Sequence, residues 1–286
     1  MDKRFLLFIV FTLFALGLVF EPLRDLMDSA KRSDYYSHII LIPCVTGYLI
    51  YLKRKEILGI PSPSYVPGGI LVTGGVALYL VGISQGVNLS ENDLVALWVF
   101  SAVVFWTGGF ILLYGWGAFR KAPFPFLFLV FMIPIPGAIL QRVIYALQVA
   151  STEVSHLLFA LSGVPYVREG FLFHLPGISI EVAEVCSGIR SSLALFITSI
   201  LAGHFFLDRL WKKAVLAVVV FPVTVFKNGI RIITLSLLGV YVDPRFLTGG
   251  FLHQSGGFLF FIPGLGLLGF ALWALRRQGQ KRIEKG

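Results

Sequence analysis

The stretch ILQRVIYALQVASTEVSHLLFAL, residues 139–161, decides how the rest of the chain is threaded. Its polar residues Gln141, Tyr145, Gln148, Thr152 and Ser155 recur at spacings of four, three, four and three, which is one face of an α-helix. Read as a helix at a membrane interface, or lining a groove, it leaves an even number of membrane crossings. Read as a crossing, it would reverse everything after it and place the basic clusters that follow it on the far side of the bilayer.

That a bilayer is the solvent follows from composition. Of 286 residues 57% are hydrophobic and only 14% charged, and the mean hydropathy is +0.84. A soluble domain carries about 25% charged residues. Apolar runs able to cross a hydrocarbon core fall at about 5–20, 36–52, 68–86, 94–116, 122–137, 187–208, 212–228 and 257–275. The sequence therefore predicts an all-α polytopic membrane protein, one integral domain over 1–286, with about eight transmembrane helices. The first run follows Lys3-Arg4 and resembles a signal peptide, but EPL follows where a small-residue cleavage site would stand, so it is read as a retained span.

The net charge of +9 raises a nucleic-acid reading. The basic residues, however, sit in short clusters between apolar runs, which is a topological pattern rather than a binding stripe. The clusters Lys3-Arg4, Lys53-Arg54-Lys55, Arg120-Lys121, Arg209 with Lys212-Lys213, and Arg276 to Lys285 hold 15 of the 24 basic residues and 4 of the 15 acidic ones. Assigned to the cytoplasm, they put both termini inside and residues 138–186 and 241–256 on the outer face. Beyond Gly163-Val164-Pro165, FLFHLPGISIEV (171–182) alternates about Pro176-Gly177 and predicts a small outer-face β-hairpin. That hairpin delivers the chain to Glu184 and Cys186.

Chemistry is concentrated in EVAEVCSGIRSS, residues 181–192. The two cysteines, Cys44 and Cys186, exclude a disulfide framework or a CxxC zinc site. Cys44 in IILIPCVTGY reads as a small buried hydrophobe. Cys186 opens a helical span, where free N–H groups and the dipole favour a thiolate, and Arg190 four residues on adds a cation.

A nucleophilic thiol needs a proton acceptor and an oxyanion partner. His38 begins a span, and His204 lies roughly 25 Å down the same helix as Cys186. His253, in GGFLHQSGGF, sits in an outer loop just before the last span, at about the depth of Cys186; His174 is the alternative and His156 shares its segment. In FKNGIRIITLSLLG (226–239), Lys227, Asn228 and Arg231 emerge about 22 Å from Lys213, near the outer interface. Arg231 there is either a snorkelling anchor or a partnered functional residue sharing a face with Asn228. Three separate segments thus bring Cys186, Arg231 and His253 to one leaflet.

In VAEVCSGIRS (182–191), NGIR (228–231) and LHQSGG with His253, the chain resembles the exosortase/archaeosortase family of multi-span membrane enzymes. The resemblance covers nearly the whole chain and matches an eight-span architecture. The histidine of the last motif is the exosortase form, where other branches carry arginine. The resemblance implies a cysteine transpeptidase with Cys186 as nucleophile and Arg231 and His253 as its catalytic partners. Arg190 matches the arginine of the family's CSGxR motif. It implies exported protein substrates bearing a C-terminal motif, helix and basic tail of the PEP-CTERM kind. No metal, cofactor, nucleic acid or fused accessory domain is implied.

The mechanism expected is a thioester on Cys186, with Arg231 on the oxyanion and His253 as general acid and base. Transfer to an envelope acceptor such as a glycolipid follows, at the outer, periplasmic face of the cell inner membrane. Asn228, Ser187, Arg190 and Glu184 are expected to support the site or bind substrate. Glu181 and Glu184 either orient Arg190 or His253 or are solvated hairpin residues. Two other readings compete. A protease that only hydrolyses shares every site residue. A small-solute transporter predicts mid-membrane ionisable residues and repeated halves, and the sequence has no internal repeat.

Overall fold

A computed structural model describes the backbone at residues 3–18, 20–21, 24, 38–58, 62–84, 88–184, 187–243, 245–248 and 251–283, and their side chains except at 18, 58, 247–248, 251–258 and 279–283. The chain forms two compact units, Met1–Leu140 and Gln141–Gly286.

The first unit contains α1 (Lys3–Leu18), α2 (Leu41–Leu52), α3 (Arg54–Leu58), α4 (Tyr65–Ile83), α5 (Glu91–Tyr114), α6 (Trp116–Lys121) and α7 (Pro123–Phe128), which tightens into a 3₁₀ turn at Leu129–Met132. Its framework is the antiparallel pair α4 and α5. Gly68, Gly75 and Gly82 recur every seven residues and meet Leu112, Phe105 and Trp98, which recur every seven in the opposite sense. A Cβ on these glycines would stand 2.6 Å from the Leu112 nitrogen, 2.8 Å from Phe105 Cβ and 2.5 Å from Trp98 Nε1. A strict seven-residue repeat keeps two helices in register only along a left-handed crossing. In lipid, where apolar burial alone drives little helix pairing, small residues let backbones approach closely. On the other side of α5, Phe11 stacks on Phe105 at 4.4 Å, and Trp106 donates its indole N–H to Thr12 Oγ1 of α1 at 2.9 Å.

Helix α8 runs over Gly137–Ser162. Its first N–H is accepted by Asp93 Oδ1 in the first turn of α5, at 2.7 Å. The amphipathic helix expected after residue 138 is therefore present, and it is long and apolar enough to cross a membrane. Its polar stripe faces inward. Gln148, Ser151, Thr152 and Ser155 are buried, whereas Leu157 and Leu161 on the opposite side are exposed. Only Gln141 and Tyr145 of the stripe reach the surface. Thr152 and Ser155 donate to the carbonyls four residues back, which satisfies their hydroxyls without a partner helix.

The second unit continues into a three-stranded antiparallel meander, β1 (Val167–Glu169), β2 (Leu172–Leu175) and β3 (Ile178–Glu181). The expected hairpin is β2–β3, turned at Gly177 with φ of 79°. Strand β1 was not foreseen, since three residues are too few to show alternation. Phe173, Leu175 and Val182 from the sheet pack with Phe159 of α8 and Ile232 of the helix described next. Arg168 of β1 is fastened to Glu153 of α8 at 2.6 Å, and this carboxylate holds the guanidinium above its ordinary pKa.

Three helices complete the unit: α9 (Ile189–Phe206), α10 (Leu210–Tyr241) and, after the single turn α11 (Arg245–Thr248), α12 (Phe251–Ile283). Leu195, Leu207, Leu216, Val220, Leu268 and Leu275 form their shared core. Lys212 of α10 donates to the Leu275 carbonyl of α12 at 2.8 Å, and Lys227 lies 3.4 Å from a Cβ built on Gly264. As α10 advances α12 recedes, so the pair is antiparallel.

The fold is an all-α polytopic membrane protein with a small sheet. Among the described residues six helices, α4, α5, α8, α9, α10 and α12, are long and apolar enough to cross a membrane, and Leu41–Leu52 and Pro123–Met132 are shorter apolar helices. Large apolar side chains such as Leu210, 82% exposed, cover the outside while serines, threonines, Asn228 and two lysines are buried. That inverts the soluble pattern and suits a hydrocarbon solvent.

Gly75→Leu will drive α4 and α5 apart and cost about 1–3 kcal/mol, read as a lowered midpoint of thermal unfolding in detergent. Gly74→Ala, which meets nothing within 4 Å, will leave the midpoint unchanged or raise it.

Candidate active site

The site is built where β3 hands the chain to α9. The Val182 carbonyl accepts a buried hydrogen bond from Gln148 of α8 at 2.7 Å, and the Ser187 N–H is accepted by the Glu184 carbonyl at 3.0 Å. Gly188 then takes φ of 76°, a left-handed conformation that glycine enters without steric cost. Its carbonyl receives the Ser192 N–H at 2.9 Å and the hydroxyls of Ser191 and Ser192 at 3.0 and 2.9 Å. The repeated serines of SGIRSS thus tie down the turn that starts the helix.

The turn sits on α10. A Cβ on Gly188 would lie 3.1 Å from both Asn228 Cγ and Oδ1. Asn228 is 1% exposed and donates to Ser151 Oγ of α8 at 3.0 Å. Beside it, Lys227 is buried and donates to Ser191 Oγ. The next residue, Gly229, lets Val154 of α8 approach to 2.5 Å of where a Cβ would stand. Asn228 is therefore the point where α8, α10 and the start of α9 meet.

Ser187 Oγ and Arg231 Nε are among the buried polar atoms of this unit that have no hydrogen-bond partner among the described residues. Buried donors and acceptors are nearly always satisfied, and exceptions collect at functional sites. Arg231 is half-buried, one residue short of a turn beyond Asn228.

The residues expected from sequence stand as follows. Asn228 stands at the junction against Gly188, the residue after Ser187, and Arg231 lies three residues beyond Asn228 on α10. Arg190 and Glu184 are exposed. Helix α9 begins at Ile189 rather than at Cys186, because Gly188 breaks the helical path, so the spacing from Cys186 to Arg190 is not a helical turn. Cys186 itself lies outside the described residues. His253 falls within α12, not in a loop, and its side chain lies outside the described residues. Helix α10 runs on to Tyr241, so Lys227 and Asn228 are interior residues of a long helix rather than its emerging end. His174 pairs with Ser179 and Glu169 on the sheet, and His156 with the Tyr166 hydroxyl. Cys44 is exposed on α2, contrary to the buried hydrophobe expected of it. A cavity of about 230 Å³ in the first unit, lined by Thr46, Val99, Trp106 and Leu129 among others, has no ionisable side chain in its wall.

Ser151 and Ser191 are partners that sequence reading passed over, and Lys227, expected near the outer interface, is instead buried against Ser191. Burial of Lys227 in an apolar helix was the available signal, since a buried lysine is costly without a partner.

The family model described as transmembrane exosortase (Exosortase_EpsH) matches residues 29–270. The chain belongs to the transmembrane exosortase family. No curated protein and no solved structure matches it. Membership makes this exosortase a multi-pass membrane protein of a cysteine peptidase and transpeptidase family that acts on exported proteins. The match takes in the Gly188 turn, the α10 junction and the start of α12.

Gly188→Ala must force a left-handed alanine against Asn228. It will cost about 1–2 kcal/mol, visible as a lowered unfolding midpoint. Asn228→Ala loses the buried hydrogen bond to Ser151 but makes room for that Cβ, so the double variant will lose less than the sum of the two single losses.

Proposed function

We propose that this exosortase cleaves the C-terminal sorting signal of exported proteins through a thioester on Cys186 and transfers the protein to an envelope acceptor. The observation that carries the reading is the Gly188 turn seated on Asn228, with Ser187 Oγ and Arg231 Nε buried and without a hydrogen-bond partner among the described residues. Cys186 is covalently next to Ser187, so its Cα is within 3.8 Å of that residue's Cα.

The chemistry runs in two steps. The Cys186 thiolate attacks the scissile carbonyl carbon, a C–S bond forms, and the Arg231 guanidinium stabilises the oxyanion. The C–N bond then breaks as His253 gives its proton to the leaving amine, leaving the thioester. An acceptor nucleophile, such as the amine or hydroxyl of a glycolipid, attacks the thioester, loses its proton to His253 and expels the thiolate. Ser187, Arg190, Asn228 and Glu184 support the site.

Helix register supports the assignment of His253. It lies eleven residues before Gly264, about 16 Å along α12, while Arg231 lies about 6 Å beyond Lys227 in the same direction along α10. Both residues therefore lie toward the same end of the α10–α12 pair, with about 10 Å between their levels. The charge bias of the connections supports cytoplasmic termini, an inner-membrane location and a site on the outer face. The start of α8 beside Asp93 agrees, because that bias puts the first turn of α5 outside. The substrate's helix docks among the spans, its motif beside the sheet.

A tagged substrate carrying a motif, helix and basic tail tests the reading when co-expressed with wild type or Cys186→Ala. Processing is expected to fall below detection in Cys186→Ala and by at least about a hundredfold in Arg231→Ala. Unchanged processing in Cys186→Ala would sink the proposal. Mass spectrometry of the new C-terminus separates transfer, which adds the acceptor's mass, from hydrolysis, which leaves a bare carboxylate.

A further inference from the structure

Strand β3 has one side on which its backbone groups stay open. The Val182 N–H is accepted by the Phe171 carbonyl at 3.0 Å, in the register that sets Ile180 against Phe173 and Ile178 against Leu175. An antiparallel ladder alternates hydrogen-bonded and non-hydrogen-bonded pairs. Ile178 and Ile180 therefore turn their backbone groups to β2, while Ser179 and Glu181 turn theirs away from it. That outer side is a sheet edge, since the strand order is β1-β2-β3. Ser179 and Glu181 are exposed, and among the described residues nothing bonds their N–H or C=O groups. Only the Ser179 hydroxyl is engaged, with His174 Nδ1 at 2.8 Å. The strand behind the edge is held in place: Ile178 and Ile180 pack on the Phe159, Phe173 and Ile232 cluster, and the Val182 carbonyl accepts from Gln148.

We propose that the open edge of β3 takes an extended segment of the exported protein as an added strand. The inference deepens the reading of this chain as a peptidase of exported proteins and rests on it. A peptide segment outside its own helix carries N–H and C=O groups with no internal partner. Where water is scarce, as at a membrane surface, each such group is costly until something pairs it. Ser179 and Glu181 present two donors and two acceptors about 7 Å apart, which is the row that strand addition uses. Side chains of the added strand then alternate, every second one falling on the face shared by Ser179, Glu181 and His174. The edge belongs to the strand that leads into the candidate site, with Gly188 seven residues beyond Glu181. A second copy pairing β3 to β3 is the rival occupant. Glu181 disfavours it, because a charge on an edge strand opposes edge-to-edge association of like chains.

The test is the processing rate of the tagged substrate as a function of its concentration, with the full-length protein. Ser179→Pro deletes an outward N–H and leaves the ladder to β2 whole, a place where an edge strand tolerates proline. Its KM is expected to rise about fivefold with kcat nearly unchanged. Ser179→Ala loses only the hydroxyl and is expected to hold KM within about twofold. Equal KM values in the two variants overturn the proposal. If Ser179→Pro also converts a dimer to a monomer by light scattering, the edge is a contact between copies instead. Should Ser179→Pro fail to accumulate, disulfide capture decides. Ser179→Cys is placed in a Cys44→Ser, Cys186→Ala background, and single cysteines are walked along the substrate segment outside its helix. Disulfides are expected at alternate positions, the period of a strand. Capture at no position, or without that alternation, overturns the proposal. Capture needs no cleavage, so failure of the catalytic reading, processing that persists in Cys186→Ala, is seen separately.

Discussion

The contact of Gly188 with Asn228 is the constraint on which the second unit depends. One asparagine side chain holds Ser151 of α8 and leaves room for a left-handed turn only if no Cβ is present. The turn fixes where α9 starts, and the start of α9 fixes how Ser191 meets Lys227. Everything chemical about the unit follows from this packing of small and polar residues at the point where three segments meet.

A bilayer explains why such a junction holds. A hydrogen bond inside a membrane protein has no water to compete for its partners, and a polar group without a partner there is expensive. Polar residues accordingly collect in the interior: Gln148, Ser151, Asn228 and Lys227 are buried while leucines face outward. The first unit solves its packing differently, with glycines every seven residues along α4. Close backbone approach serves it in place of hydrogen-bonded side chains.

Much of the architecture was legible in the sequence because hydrophobic length and charge bias are one-dimensional properties. The helices over the eight apolar runs, the turn at Pro176-Gly177 and the amphipathic period of residues 139–161 could all be read directly. The direction in which that amphipathic face turns could not. A polar stripe faces water in a soluble setting and the protein interior in a bilayer, and only the packing of Ser151 on Asn228 distinguishes them. The helical relation expected between Cys186 and Arg190 failed for a local reason, since Gly188 adopts positive φ and delays the helix to Ile189. The reach of α10 to Tyr241 was hidden because the sheet and α8 cover its last turns, and polar interruptions there looked like an end.

The sequence by itself determined a polytopic membrane chain and the family it belongs to, and it supplies the small set of residues to which thiol chemistry is proposed to belong. Those depend on residue type and spacing, which survive without coordinates. Only the tertiary structure decided which polar groups share an interior: Asn228 with Ser151 and Lys227 with Ser191. Such pairings join residues 36 to 77 positions apart, and no local periodicity encodes a contact that depends on how separate helices cross.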